Sequence, residues 1–299
     1  MSMRDVRPEP FATARKADAL LNAMSVDIED WFQVGAFETV INRADWDQLE
    51  HRVERNTHDV LALFDEAGIK ATFFILGWVA ERYPALMRQI ADAGHEIANH
   101  GYDHARVFTL SPEQFRADLD RSRKIIEDTS GQQVIGYRAP SFSIDQRTPW
   151  AHEILAEEGY TYSSSVAPIN HDHYGWADSP RFAWKPVGQS DFIELPVTTV
   201  KLGKRAFAAG GGGFFRLLPY ALYDRSIRKM QRDDAHGAIF YFHPWEIDPD
   251  QPRVANAALR SKLRHYTNLK AMRAKLLRAG QDFKWGRVDE LAALEAGLM

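Results

Sequence analysis

The chain has 299 residues, 45% of them apolar and none of them cysteine, with 37 Lys/Arg against 41 Asp/Glu for a net charge of −4. Such a composition suits one compact domain with a buried core, excludes disulfide scaffolds and cysteine nucleophiles, and argues against a nucleic-acid binder, which normally carries a basic excess. Any metal must be held by His and carboxylates, because no thiolate exists.

In chain order, the first stretch, MSMRDVRPEPFATARKADAL, lacks the apolar block of a secretory signal, and no later run approaches the roughly twenty apolar residues of a membrane span. The expected location is therefore the cytoplasm. Residues 1–18 read as a mobile arm. Asn22 to Ile28 predicts a strand ending in carboxylates, and Val53 to Ala67 a helix closed by Gly68. Lys70 to Leu76 predicts a second strand, Val79 to Ala93 a helix closed by Gly94, and Glu96 to Asn99 a third strand running directly into His100. Ser111 and Pro112 open a helix as cap and first residue, continuing to about Asp128 and ended by Gly131. Further strands are expected at Val134 to Tyr137, Phe192 to Val197 and Ala238 to Phe242, with helices at Thr148 to Glu158 and Pro219 to Arg232. Strands alternating with helices imply a mainly parallel sheet, and this many repeats favour closure into an α/β barrel. Beyond Pro244 a turn-rich stretch leads into one long basic helix from about Ala257 to Arg278. Its Arg and Lys read first as a solvated face, and an anionic membrane surface is the second reading.

Chemistry concentrates at predicted strand ends. In GHEIANHGYDH, residues 94 to 104, His100 and His104 are four apart, and two neutral imidazoles at that spacing can share one cation. A metalloprotease helix would need Glu after the first His, whereas Gly101 stands there and favours a loop. Taken alone, the pair could be two surface histidines. In SVDIEDWF, Asp27, Glu29 and Asp30 cluster at the end of the first strand; such carboxylates repel unless a cation intervenes, and one left uncoordinated can act as a base. YRAPSF adds Arg138, suited to bidentate capture of a carboxylate, and FYFHPWE delivers His243 for proton transfer. In barrel enzymes the C-terminal strand ends form the active face, so these segments should converge.

Together these residues resemble the polysaccharide deacetylases, carbohydrate esterase family 4, which includes chitin, peptidoglycan and nodulation-factor deacetylases. Asp27 with Glu29 or Asp30 resembles the paired-acid block, His100 and His104 the HxxxH block, Arg138-Ala139-Pro140 the Arg-x-Pro block, and Phe242-His243 the terminal leucine-histidine block. Within the family, GYRAPSFSI, GGGGFFRLLPYAL, FHPWEIDPDQPR and RHYTNL resemble a bacterial branch associated with exosortase-linked exopolysaccharide clusters.

The resemblance implies a distorted (β/α) barrel spanning 19–250 with a helical extension over 251–299 packed on it. It implies a metal-dependent hydrolase that removes the N-acetyl group of an amino sugar in a polysaccharide or lipid-linked oligosaccharide, in exopolysaccharide biosynthesis; the lack of a secretory signal places that expectation in the cytoplasm, at the inner face of the membrane. The metal, zinc first and Co2+, Ni2+ or Mn2+ otherwise, would be bound by His100, His104 and either Glu29 or Asp30. Asp27 would be the base held by Arg138, His243 the acid, and the backbone of Ser141 beside Pro140 the oxyanion donor. Trp31, Tyr137, Phe142 and Trp245 flank these blocks and could stack on sugar rings, although aromatics near strand ends are more often core. Three departures stand out: Ile28 separates the usually adjacent acids, Gly101 replaces a small hydroxyl residue, and the family's fourth block, whose Asp tunes the acid histidine, has only Asp145, Asp172 and Asp191 as candidates. The competing readings are a hydrolase of a small amide or cyclic ureide and a non-catalytic glycan-binding protein on the same fold.

Overall fold

The computed structural model describes residues 20–170, 175–203 and 205–297. The arm expected over 1–18 and the candidate Asp172 lie outside them.

The central strand β1 (Asn22–Ile28) is buried along its whole length, as a parallel strand covered on both faces must be. On one side it pairs with β2 (Thr72–Ile75), which leads through β3 (Glu96–Asn99), β4 (Gly136–Tyr137) and β5 (Tyr162–Ser163) to β6 (Ile193–Glu194). Its other edge takes β9 (Ile239–Phe242), while β10 (Trp285–Gly286) sits below β2 on the first edge; every one of these pairings is parallel. Between β6 and β9 the ladder is irregular. There the Thr198 N–H donates to the Ile239 carbonyl at 3.3 Å and the Tyr241 N–H to that of Gly210 at 2.7 Å, closing a distorted (β/α) barrel. An antiparallel hairpin, β7 (Thr199–Leu202) with β8 (Arg205–Ala208), rises from this gap.

Helices cover the barrel where the periodicity asked for them. α1 (Val53–Ala67) buries Val53, Val60, Leu63 and Phe64 at helical spacing and stops at Gly68, φ 65°, a left-handed cap. The expected helix over 79–93 is instead two, α2 (Gly77–Arg82) and α3 (Pro84–Asp92). Pro84 supplies no N–H to continue the first and disfavours helical backbone at Tyr83, which takes φ −126°, ψ 56°. α4 (Pro112–Ser130) begins with a complete capping box between Ser111 and Gln114. α5 (Ala151–Glu157), α6 (Gly212–Leu217) and α7 (Tyr220–Asp234) follow.

The long basic helix expected over 257–278 is also two, α8 (Leu259–Tyr266) and α9 (Leu269–Asp282), with Asn268 at φ 57° forming the corner. The chain then forms β10 and ends in α10 (Val288–Glu295). Val288, Leu291 and Ala292 of α10 join Ala23, Phe74, Ala98, Tyr162 and Ile239 in one buried cluster that stoppers the N-terminal end of the barrel. Each such aliphatic side chain contributes about 2 kcal/mol of burial. The opposite end is left for chemistry.

Candidate active site

Asp27 lies near the end of β1 and Glu29 just past it, in a tight turn where the Glu29 N–H donates to the Asp27 carbonyl at 3.1 Å; both carboxylates face His243 Nε2 while Ile28 packs in the core. The spacing that departs from adjacent acids therefore still brings two carboxylates together. They are 2% and 1% exposed. Asp30 points elsewhere: its carboxylate accepts hydrogen bonds from the backbone N–H groups of Trp31 (2.8 Å), Arg52 (2.7 Å) and Val53 (3.0 Å), satisfying the start of α1. Burial pushes its pKa up to about 6 despite these donors. Of the two acids left open as metal ligand, Asp30 is thus bonded to the start of α1, and Glu29 is the one beside the imidazoles.

β3 feeds His100 to the site, and its Nδ1–H donates to the Arg138 carbonyl at 2.7 Å, which leaves Nε2 with a free lone pair. Gly101, φ 77°, bends the chain into a loop, and His104, itself at φ 61°, returns its Nε2 to 3.0 Å from Glu29 Oε2. Ligand atoms of Glu29, His100 and His104 all lie within 4.8 Å of one another. Glu29 Oε2 is buried without a hydrogen-bond partner despite its nearness to His104. An orphaned carboxylate oxygen beside two imidazoles is what a cation would satisfy, so the donor set fits a divalent metal. Burial pushes the pKa of Glu29 up, but His104, His243 and His100 outweigh it and hold it at about 2. Burial lowers that of His100 to about 4, against the pull of Asp27.

Arg138, fully buried after β4, donates from one terminal nitrogen to Asp27 Oδ1 at 2.7 Å and to Ser25 Oγ at 2.8 Å. Its other nitrogens bond the Ser164 carbonyl (3.1 Å) and hydroxyl (3.0 Å). The grip on Asp27 is thus single, not the bidentate fork expected, because serines take the remaining donors. Asp27 Oδ2 is left facing His243 Nε2 at 4.0 Å.

His243 follows β9 and leads into a turn, Pro244–Ile247, that folds Glu246 back on it: Nδ1–H donates to Glu246 Oε1 at 2.9 Å, and the backbone N–H of His243 reaches the same oxygen at 3.1 Å. Glu246 is held in turn by the buried Arg216 of α6 at 2.7 Å. Gly212 makes room for it, since a Cβ there would fall 2.4 Å from Glu246 Oε1. Burial lowers the pKa of His243, but Glu29, Glu246 and Asp27 outweigh it and raise it to about 9; a cation on Glu29 would offset part of that pull.

Glu246, the acid bonded to His243 Nδ1, is not among the three candidates the sequence offers. Asp145 is paired to Arg147 and Asp191 to Lys185, both away from His243. The signal was present in HPWE, a Pro at the first position and a Glu at the third of a capping turn.

Pro140 opens a tight turn over Pro140–Phe142 in which Ser141 has φ 56°, a left-handed backbone. Trp31, Tyr137, Phe142 and Trp245 are all buried, as the core reading of these aromatics has it. Trp31 donates its indole N–H to the Glu50 carbonyl, Tyr137 packs on Phe115 and Tyr160, and Phe142 packs on Tyr241. Trp245 is stacked between His243 and His265, with its indole N–H 3.4 Å from Glu29 Oε1.

Three histidines, three carboxylates and a buried arginine converge near the C-terminal ends of parallel strands, the face on which barrel enzymes build their active sites. Residues 45–163 match the family model described as polysaccharide deacetylase, and residues 164–293 match a domain of unknown function, DUF3473. The chain is 36% identical over 115 residues to the peptidoglycan deacetylase-like protein of Gibberella zeae, covering 38% of this chain and 32% of that one. It is 33% identical over 107 residues to the peptidoglycan deacetylase of Helicobacter pylori, covering 36% of each. The matched stretch is thus about a third of the length of these curated relatives. A candidate polysaccharide deacetylase from Mycobacterium smegmatis shares the fold over 97% of this chain and 95% of its own, at a TM-score of 0.65 and 20% identity. The likeness to the polysaccharide deacetylases thus rests on residues 45–163, and the fold is shared along nearly the whole chain. The family match holds His100, His104 and Arg138, whereas Asp27, Glu29 and His243 lie outside it.

Proposed function

We propose that this protein hydrolyses the N-acetyl group of an amino sugar within a polysaccharide or lipid-linked oligosaccharide, with a divalent metal held by Glu29, His100 and His104. The observation that carries the reading is the orphaned Glu29 oxygen between two imidazoles, flanked by an Arg138-held Asp27 and a Glu246-held His243. Zinc is the favoured ion. Bound there, it would polarise the acetamide carbonyl and bring the pKa of a water to about 7.

The chain's own groups divide the remaining work. Arg138 keeps Asp27 oriented through Oδ1, so that Oδ2 can accept the proton of the attacking water. The left-handed turn at Ser141 would offer its backbone N–H to the tetrahedral oxyanion. His243 Nε2 gives a proton to the departing amine as the C–N bond breaks, while Glu246 receives Nδ1–H and steadies the imidazolium. Products are acetate and the free amino sugar. The likeness to exosortase-associated sequences supports a place in exopolysaccharide biosynthesis, on the cytoplasmic side of the membrane. Among the described residues no helix is long and apolar enough to cross one.

Acetate release from N-acetylated oligosaccharides, with and without chelator, tests this. Release abolished by chelator and restored by added zinc is expected. Chelator-insensitive release rejects the metal role, and glycan binding without release favours a non-catalytic protein.

A further inference from the structure

Eight large apolar side chains are exposed among the described residues, and six of them fall on two short segments. Phe214, Leu217, Leu218 and Leu222 lie on α6, the turn after it and the start of α7. Leu259 and Leu263, 72% and 58% exposed, lie one turn apart on α8.

The two segments are locked together. Arg216 donates to the carbonyls of Arg264 and Thr267 at the α8–α9 corner, Asn268 donates back to the Arg216 carbonyl at 3.1 Å, and Lys275 bonds the carbonyls of Phe215, Arg216 and Leu218. The apolar side chains therefore move as one body. That body adjoins the site, since the same Arg216 holds Glu246.

Charge identifies the occupant. From Gln251 to Gln281 the chain carries eight Lys or Arg and no Asp or Glu, in a protein whose net charge is −4. On α8, Arg260 and Lys262 are interleaved between the two exposed leucines, with Arg264 just after. A second copy seated on this patch would bring two basic segments face to face, at a repulsive cost. Apolar side chains interleaved with basic ones on a short helix suit a surface that is apolar beneath and anionic on top.

We infer that α6, the start of α7 and α8 form a docking surface for an anionic lipid bilayer, which the shared Arg216 links to the active site. The inference goes beyond the deacetylase reading and rests on it only for its consequence, that a lipid-linked sugar is met at the membrane.

The full chain is sedimented with phosphatidylcholine vesicles lacking or containing phosphatidylglycerol. Binding to the anionic vesicles alone is expected, weakened by salt. The double variant Leu259→Ser with Leu263→Ser should bind about tenfold more weakly, with Leu222→Ser acting in the same direction. Acetate release from a soluble oligosaccharide and the melting temperature should be unchanged in these variants. No binding to anionic vesicles, equal binding to neutral ones, or binding indifferent to the leucine substitutions overturns the inference. So does concentration-dependent dimerisation abolished by the same substitutions, which would make the patch a self-association surface. Vesicle binding needs no turnover, so a chain that docks but releases no acetate sinks only the deacetylase reading.

Discussion

The two ends of the barrel bury carboxylates equally well and treat them oppositely. At the C-terminal end Glu29 and Glu246 are each held at a pKa of about 2, because burial, which raises both, is outweighed by imidazoles in one case and by Arg216 with His243 in the other. At the N-terminal end Glu96 is just as buried, and its pKa rises to about 8. Its partners are neutral donors, the hydroxyls of Thr72 and Tyr162 and the backbone N–H of Asp289, while the Asp289 carboxylate nearby repels it. Burial alone makes a carboxylic acid; burial among cationic partners makes a carboxylate ready for a metal or a proton. The stoppered end is built for stability and the open end for charge.

The largest effect should come from removing a ligand at the open end. His100→Ala should lower metal content from near one ion per chain to near zero and cut acetate release at least a hundredfold. Metal analysis together with activity checks this, and an active variant that keeps its ion would break the contrast. Asp27→Asn should also lose roughly a hundredfold or more in rate yet keep its metal, which separates base from ligand.

Glu246→Gln should cost about ten- to a hundredfold, the scale of lost orienting contacts at such centres. The loss should be larger for an acetamide, whose amine must be protonated, than for an activated aryl acetate. Equal losses on both substrates would reduce Glu246 to a packing role.

Glu96→Gln should leave acetate release alone and change only the pH dependence of stability. Because the folded pKa lies above the ordinary 4.5, the stabilisation is complete below pH 4.5 and is lost as pH rises through about 8. Wild type should therefore weaken across that window relative to the variant, by on the order of 5 °C in Tm. A parallel pair of curves would show that Glu96 is ionised throughout.

Much of this molecule is legible in one dimension because its elements are local. β1 and α1 have the bounds that alternation, helical spacing and Gly68 predict, and the Ser111 cap opens α4 as expected. The strand-end positions of Asp27, His100, Arg138 and His243 follow from reading strands that stop where chemistry starts.

What is not legible is which groups meet. Asp30 and Glu29 are neighbours with the same functional group, and only the docking of α1 onto Asp30 frees Glu29 for the imidazoles. Strands β4, β5 and β6 are two residues each, too short for any period, and exist because neighbours hold them. Glu246 acquires its role through Arg216, thirty residues away, and the basic stretch of the tail becomes two helices with a corner that holds that arginine.

By itself, then, the sequence determined the alternation of strands and helices, the absence of any thiolate, and the inventory of imidazoles and carboxylates at strand ends, since these depend on residue type and short-range spacing. Tertiary structure alone decided which acid faces the histidines, which acid steadies His243 and which end of the barrel is stoppered. Those outcomes depend on counter-charges and hydrogen-bond donors brought from distant segments, and a buried group's state is set by its neighbours in space.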